Sequence, residues 1–154
     1  MWTMQVSARG DYAVRAAVSL ASTHPTTVSA QSLADGEGLP HKFLEAVLAD
    51  LRRGGVVTSV RGADGGYRLA RDPGEISVGA VLRAVDGPLA GVRGQRPEEV
   101  TYDGASAHLP DLWIAVRAAV RNVLDEVTLA QVATGRLPAR VRRLVGSEGA
   151  WEPR

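Results

Sequence analysis

The sequence predicts a mainly α fold carrying one small β-hairpin, an α+β chain, and three observations lead there. Apolar residues recur at helical spacing over 13–21, 43–51 and 78–85. Between the second and third of these stretches, two short extended runs flank the glycine-rich segment 62–66. A longer apolar stripe follows from Leu112 to Ala130, after Pro110, a residue suited to the start of a helix.

Each element can be justified in order. The first helix is expected over 6–22, where Ala13, Val14, Ala17, Val18 and Ala21 share one side. After a loop at 24–27, Ser29 is a good N-cap for a short helix holding Leu33 and Ala34, which ends at Gly36 and Gly38. The third helix, 40–53, starts with Pro40 as its first helical residue and stops at Gly54 and Gly55. Phe43, Leu44, Val47, Leu48 and Leu51 line one of its faces, and Lys42, Glu45, Ala46, Ala49 and Arg53 the other. Two helices joined by a glycine-containing turn make a helix-turn-helix. Extended runs over 56–60 and 67–70 then pair as a hairpin. Ser77 caps a fourth helix with Val78, Val81, Leu82 and Val85 on one side, and Gly87 and Pro88 stop it. Helix, helix, helix, hairpin, helix is the order of a winged helix-turn-helix, expected over 1–88.

Residues 89–110 show no sustained periodicity and are expected to form a loop. A long helix is expected over 111–135, about 35 Å from end to end. Its stripe of Leu112, Trp113, Val116, Val120, Val123, Leu124 and Val127 exceeds what a small domain covers, which points to a dimer interface. The alternative is a helix packed wholly on its own amino-terminal domain. Residues 136–154, with Arg136, Arg140, Arg142 and Arg143, are expected to be a basic, flexible tail.

Composition narrows the function classes. A chain of 154 residues can bury a core without staples. No apolar stretch is long enough for a membrane span, and no signal peptide is visible at the amino terminus, so a cytoplasmic location is expected. The absence of cysteine removes disulfides, thiol nucleophiles, thiolate zinc sites and cysteine-ligated iron–sulfur clusters. Net charge is only +1, so any nucleic-acid binding must come from the distribution of charge rather than its total. Lys42 is the single lysine, and every other member of the 18 Lys and Arg residues is arginine.

The outward face of the 40–53 helix suits the major groove. Ala46 and Ala49 let the backbone approach base edges, Lys42 can reach phosphate or guanine, and Glu45 can accept from a cytosine amino group. An ordinary solvated face is the alternative. The hairpin tip, Arg61, Gly62, Ala63, Asp64, Gly65, Gly66 and Tyr67, places an arginine beside almost no side chains, a shape that fits a minor groove. A phosphate-cradling loop is excluded because a strand, not a helix, follows. Ser7, Arg9 and Tyr12 flank the start of the first helix, where a DNA backbone can run, and Ser7 is equally suited to a structural cap. His24, His41 and His108 stand apart with no carboxylate partners at helical spacing and no metal-ligand spacing, and no serine nucleophile signature occurs, so an enzyme is not expected.

These residues resemble a known family. Residues 4–15 (MQVSARGDYAVR), 43–45 (FLE), 51–70 (LRRGGVVTSVRGADGGYRLA), 76–79 (ISVG), 85–88 (VDGP), 111–113 (DLW) and 127–129 (VTL) are similar to the IscR/NsrR-type regulators, the Rrf-two family. The resemblance implies a homodimer joined through the long helix and bound to an approximately palindromic double-stranded operator, usually repressing. It implies DNA contacts at Lys42, Glu45, Arg61 and Gly62. It also makes 89–110 a sensor-like loop, in which cluster-binding members carry three cysteines. Here that loop has none, so no iron–sulfur cofactor is expected, and Asp11 has no thiolates to join. Members without a cluster sense a small molecule or a partner protein. A small-molecule pocket is drawn at Tyr102, His108, Trp113 and Arg117, with Trp113 as a plain core anchor the alternative. A second reading keeps the fold but makes it an interaction module that regulates a partner enzyme, with weak or no specific DNA binding.

Overall fold

The computed structural model describes residues 4–153; residues 1–3 and 154, the outermost ends of the first and last expected segments, lie outside it. Helix α1 (Ala8–Thr23) starts where the Ser7 hydroxyl accepts the Gly10 N–H at 2.8 Å. Ser29 caps α2 (Ala30–Glu37) in the same way, and Ser77 caps α4 (Val78–Asp86), each satisfying a helix-start amide that would otherwise lack a partner. Between them α3 (His41–Arg53) runs from Pro40, which is its N-cap rather than its first helical residue. Strands β1 (Val57–Val60) and β2 (Gly66–Leu69) pair antiparallel, Val57 opposite Leu69 and Val60 opposite Gly66.

The core forms around α1. Its Ala13, Ala16, Ala17 and Leu20 are fully buried, and the small side chains let α3, α4 and a carboxy-terminal helix approach closely. Leu44, Val47, Leu48 and Leu51 of α3 enter the same core with Leu69, Ile76 and Val81. Each fully buried aliphatic side chain contributes roughly 1.5–3 kcal/mol relative to exposure. Phe43 departs from the expected core face: it is 42% exposed and stands edge-on to Tyr12, ring centroids 5.3 Å apart.

The expected long helix over 111–135 is two helices. α5 (Leu109–Leu124) stops, and α6 (Leu129–Thr134) turns back onto α1. Between them the chain runs antiparallel to 76–78: the Val78 N–H donates to the Val127 carbonyl and the Leu129 N–H to the Ile76 carbonyl, both at 2.9 Å. Thr128 and Gln131 form a reciprocal capping box that starts α6. These bonds replace the ones a continuous helix would make. Val127 is therefore buried in its own chain's core, 6% exposed, and is withdrawn from the intermolecular set. Val123 and Leu124 also pack partly on that core. The bidentate pair of Arg83 with Asp125, at 2.6 and 2.8 Å, pins the break to α4.

Two further expectations change. Within the expected flexible tail, 139–145 is a helix, α7 (Ala139–Val145), whose Val141 is buried in the core. Arg140 pairs with Glu126 at 3.2 Å, and the Trp151 indole N–H donates to the Val145 carbonyl at 2.8 Å. The 89–110 segment contains short 3-10 turns at Pro97–Glu99 and Gly104–Ser106, and Pro97 and Val100 are buried beneath it.

The Arg83–Asp125 pair makes a pH-dependent contribution. Hydrogen bonds from Arg83 hold the Asp125 carboxyl below its ordinary range, against an opposing push from burial, and the Arg83 and Arg121 charges add to the effect. A depressed carboxyl stabilises the fold fully above the ordinary aspartate pKa and loses that contribution as pH falls through the folded value. The side chains are 35% and 37% exposed, so solvent screening keeps the effect below about 1 kcal/mol. Asp125→Asn is expected to lower the urea midpoint at neutral pH, with the gap from the parent closing below the ordinary aspartate range. Urea titrations across that pH span check it.

Candidate nucleic-acid interface

With Leu44, Val47, Leu48 and Leu51 fixed in the core, the opposite face of α3 turns outward. Lys42, Glu45 and Ala46 are all exposed there, and the Lys42 ammonium has no ion-pair or hydrogen-bond partner among the described residues. Glu45 lies 3.8 Å from His41 Nδ1, one turn earlier on the same helix, which corrects the expectation that the histidines lack carboxylate neighbours at helical spacing. The pair is an ion pair only when the imidazole is protonated.

The wing stands beside this helix. Its tip is closed by the Gly65 N–H donating to the Gly62 carbonyl at 3.0 Å. Arg61 is exposed at the tip and Arg68 and Arg71 farther along the wing, none of them with a hydrogen-bond or ion-pair partner among the described residues. Arg52, at the end of α3, donates to the Ser59 hydroxyl at 3.5 Å and joins helix to hairpin. The wing gains a third extended segment that no local pattern announces. The Tyr67 N–H donates to the Val28 carbonyl at 2.7 Å, and the Val28 N–H to the Tyr67 carbonyl at 2.8 Å. This approach requires glycine at position 66, since a Cβ there would overlap the Val28 carbonyl.

The expected amino-terminal contacts are taken by the fold. The Ser7 hydroxyl donates to Asp86 Oδ2 at 2.6 Å while accepting from Gly10, so its single proton is committed. Arg9 pairs with Asp50, and Arg53 pairs with the same carboxylate. Tyr12 packs against the core, its ring edge-on to Phe43, with the Arg15 guanidinium 6.0 Å from its centroid. Tyr67 is likewise half-buried against the core, joined to Val28 through its backbone. Ser7 and Arg9, expected as phosphate donors, and Arg53, expected on the outward face of its helix, thus each have a partner within the fold, Ser7 in the cap given as its alternative. Arg68 and Arg71 were passed over, although two arginines at and just beyond the second strand were a visible signal.

The four residues expected to line a ligand pocket do not meet. Arg117 lines a cavity of 730 Å³, which Tyr102, His108 and Trp113 do not. Tyr102 instead lies beside the Arg93 guanidinium, 5.9 Å from the ring centroid, and His108 is exposed just before α5. Trp113 is half-buried, and its indole nitrogen is buried without a partner.

A helix with small outward side chains beside a hairpin carrying unpaired arginines defines a winged helix-turn-helix that reads double-stranded DNA. A family model described as Rrf2, iron-dependent transcriptional regulator, matches residues 6–135, and the chain belongs to that family. It is 46% identical over 150 residues to the putative HTH-type transcriptional regulator Rv1287 of Mycobacterium tuberculosis, covering 97% of this chain and 93% of that relative. It is 37% identical over 134 residues to the HTH-type transcriptional regulator CymR of Bacillus subtilis, covering 85% and 91%. The solved structure of B. subtilis CymR, titled the global cysteine regulator, superposes with a TM-score of 0.73 at 35% identity, covering 86% of this chain and 98% of that one. An IscR structure from T. potens gives 0.68 at 36% identity, covering 86% and 88%. The chain is a DNA-binding transcriptional regulator.

Gly66→Ala is expected to destabilise the fold by about 1–3 kcal/mol, because the added methyl group forces the wing from the 26–29 segment. The loss should appear as a lower urea midpoint together with weaker DNA binding, whereas Ala63→Gly at the exposed tip should leave the midpoint nearly unchanged.

Proposed function

We propose that the protein is a cytoplasmic, non-enzymatic homodimeric repressor that binds an approximately palindromic operator and works without an iron–sulfur cluster. The observation that carries the dimer is α5: none of its 16 residues is buried within the single chain, and Leu112 is 52% exposed. Leu112 and Val116, with Ala115 and Ala119, present an apolar strip at helical spacing that a second copy can cover. A two-fold contact of this kind sets two α3 helices to meet successive major grooves, which is what a palindromic site needs. A dimer seated on a promoter excludes other proteins from it, so repression is its simplest consequence.

The cluster-free reading rests on donor chemistry. Between α4 and α5 the available side-chain donors are carboxylates, the Gln95 amide, the hydroxyls of Thr101, Tyr102 and Ser106, and His108, with no thiolate, and Glu98 is engaged by Arg117 at 2.6 Å. Soft iron–sulfur clusters are held by thiolates. No helix among the described residues is long and apolar enough to cross a membrane.

Mobility-shift titration against the DNA upstream of the gene tests the reading. Salt-sensitive, sequence-preferring binding is expected, and equal affinity for unrelated DNA would overturn it. Arg61→Ala is expected to weaken operator binding by roughly 1–3 kcal/mol. Leu112→Glu is expected to give a folded monomer in sedimentation equilibrium with much reduced operator affinity; a variant that remains dimeric would remove α5 from the interface.

A further inference from the structure

The cavity between the end of α4, the loop that follows it and α5 measures 730 Å³, within the range of roughly 300–1,000 Å³ typical of small-molecule sites. Its charged lining is four arginines, Arg83, Arg96, Arg117 and Arg121, against two carboxylates, Asp86 and Glu98. The bonding around it is uneven. Arg83 is held by Asp125, Arg117 by Glu98, and Asp86 accepts from Ser7. The guanidinium groups of Arg96 and Arg121 have no hydrogen-bond or ion-pair partner among the described residues. The lining thus carries more guanidinium than carboxylate groups, two of the four arginines making no hydrogen bond or ion pair among the described residues, and the planar guanidinium fork matches carboxylate and phosphate oxygens. Pro88, Leu89 and the buried Pro97 supply an apolar side to the same space.

We infer that this cavity is the effector site of the protein and takes a small organic dianion, a dicarboxylate-type metabolite, bound by Arg96 and Arg121 with Arg117 beside them. The site joins two bodies that matter separately. Arg83 and Asp86 belong to α4, and Asp86 is bonded to the cap of α1; Arg117 and Arg121 belong to α5, the proposed stem. An anion bridging α4 and α5 favours whichever setting of the reading head against the stem brings the arginines together, and it shifts operator affinity only through that difference. The link to operator affinity rests on the DNA-binding function; the binding site does not.

The test therefore reads binding on the free, full-length protein, so that a failure of the dimeric-repressor reading leaves it standing. Isothermal titration at constant ionic strength uses malate, succinate, inorganic phosphate and neutral succinamide as probes. Saturable binding of malate or succinate at one site per chain is expected, with succinamide silent. The Arg96→Gln, Arg121→Gln double variant is expected to lower that affinity by about tenfold or more. Neither side chain makes a hydrogen bond or ion pair among the described residues, so its ligand-free melting temperature should lie close to the parent's. Absence of saturable binding by either dicarboxylate, binding of phosphate alone, equal binding of succinamide, or undiminished affinity in the double variant would each overturn the assignment.

Discussion

Asp50 is the one charged side chain buried among the described residues, and its two partners come from different parts of the chain. A carboxylate on the inner side of α3 is costly unless it is paired and hydrogen-bonded. Arg9 reaches it from the first turn of α1, and Arg53 from the last turn of α3. The geometry of the reading head follows from this arrangement. With Leu44, Val47, Leu48 and Leu51 buried on one face and Asp50 anchored to α1, α3 cannot roll, so Lys42, Glu45 and Ala46 keep one outward setting. The same end of α1 is fixed to α4 through Ser7 and Asp86. Two of the cations beside this outward face are thereby spent on architecture, which leaves Lys42 and the wing arginines as its unpaired cations among the described residues.

The carboxy-terminal third is governed by a second constraint. A 25-residue amphipathic helix would have left Val127 and Leu129 outside the winged domain, whereas the bonds between 76–78 and 127–129 draw both into the core. What remains of the stem is α5, held to the head by the Arg83–Asp125 pair and the 89–108 connection. Head and stem are thus distinct bodies joined through few contacts.

Local signals made much of this legible. Ser29 and Ser77 cap the helices expected of them, and the 3.6-residue spacing separated the buried and outward faces of α3 except at Phe43 and Asp50. Phe43 was misplaced because Tyr12, 31 positions away, gives it an aromatic neighbour outside the core. Asp50 gives no local signal of burial, because its partner on α1, Arg9, lies farther away still in the sequence and an aspartate at a helix position reads as solvated. The bridge between Val28 and Tyr67 is likewise non-local. The break before α6 is different in kind. Thr128 and Gln131 carry the Thr-x-x-Gln signature of a helix start, and the apolar stripe running through 127 obscured it.

The connection between head and stem shows how the family's architecture tolerates a loop with no cysteine. Its turn at Pro97–Glu99 is closed by Glu99 bonding back to the Arg96 N–H and is seated by the burial of Pro97 and Val100. The Arg117 side chain is 15% exposed and reaches out to Glu98, whose carboxylate sits in solvent, so the closing ion pair is screened on one side. Apolar seating gives the loop its shape, while an ion pair in water adds little to hold it shut. That balance contrasts with Asp50, where the carboxylate is enclosed and both partners are needed. The core of the winged domain is closed by packing and an enclosed charge cluster, whereas the loop against α5 is seated by Pro97 and Val100 with a screened ion pair beside them. The weaker closure of the chain therefore lies in the connection between the winged domain and α5.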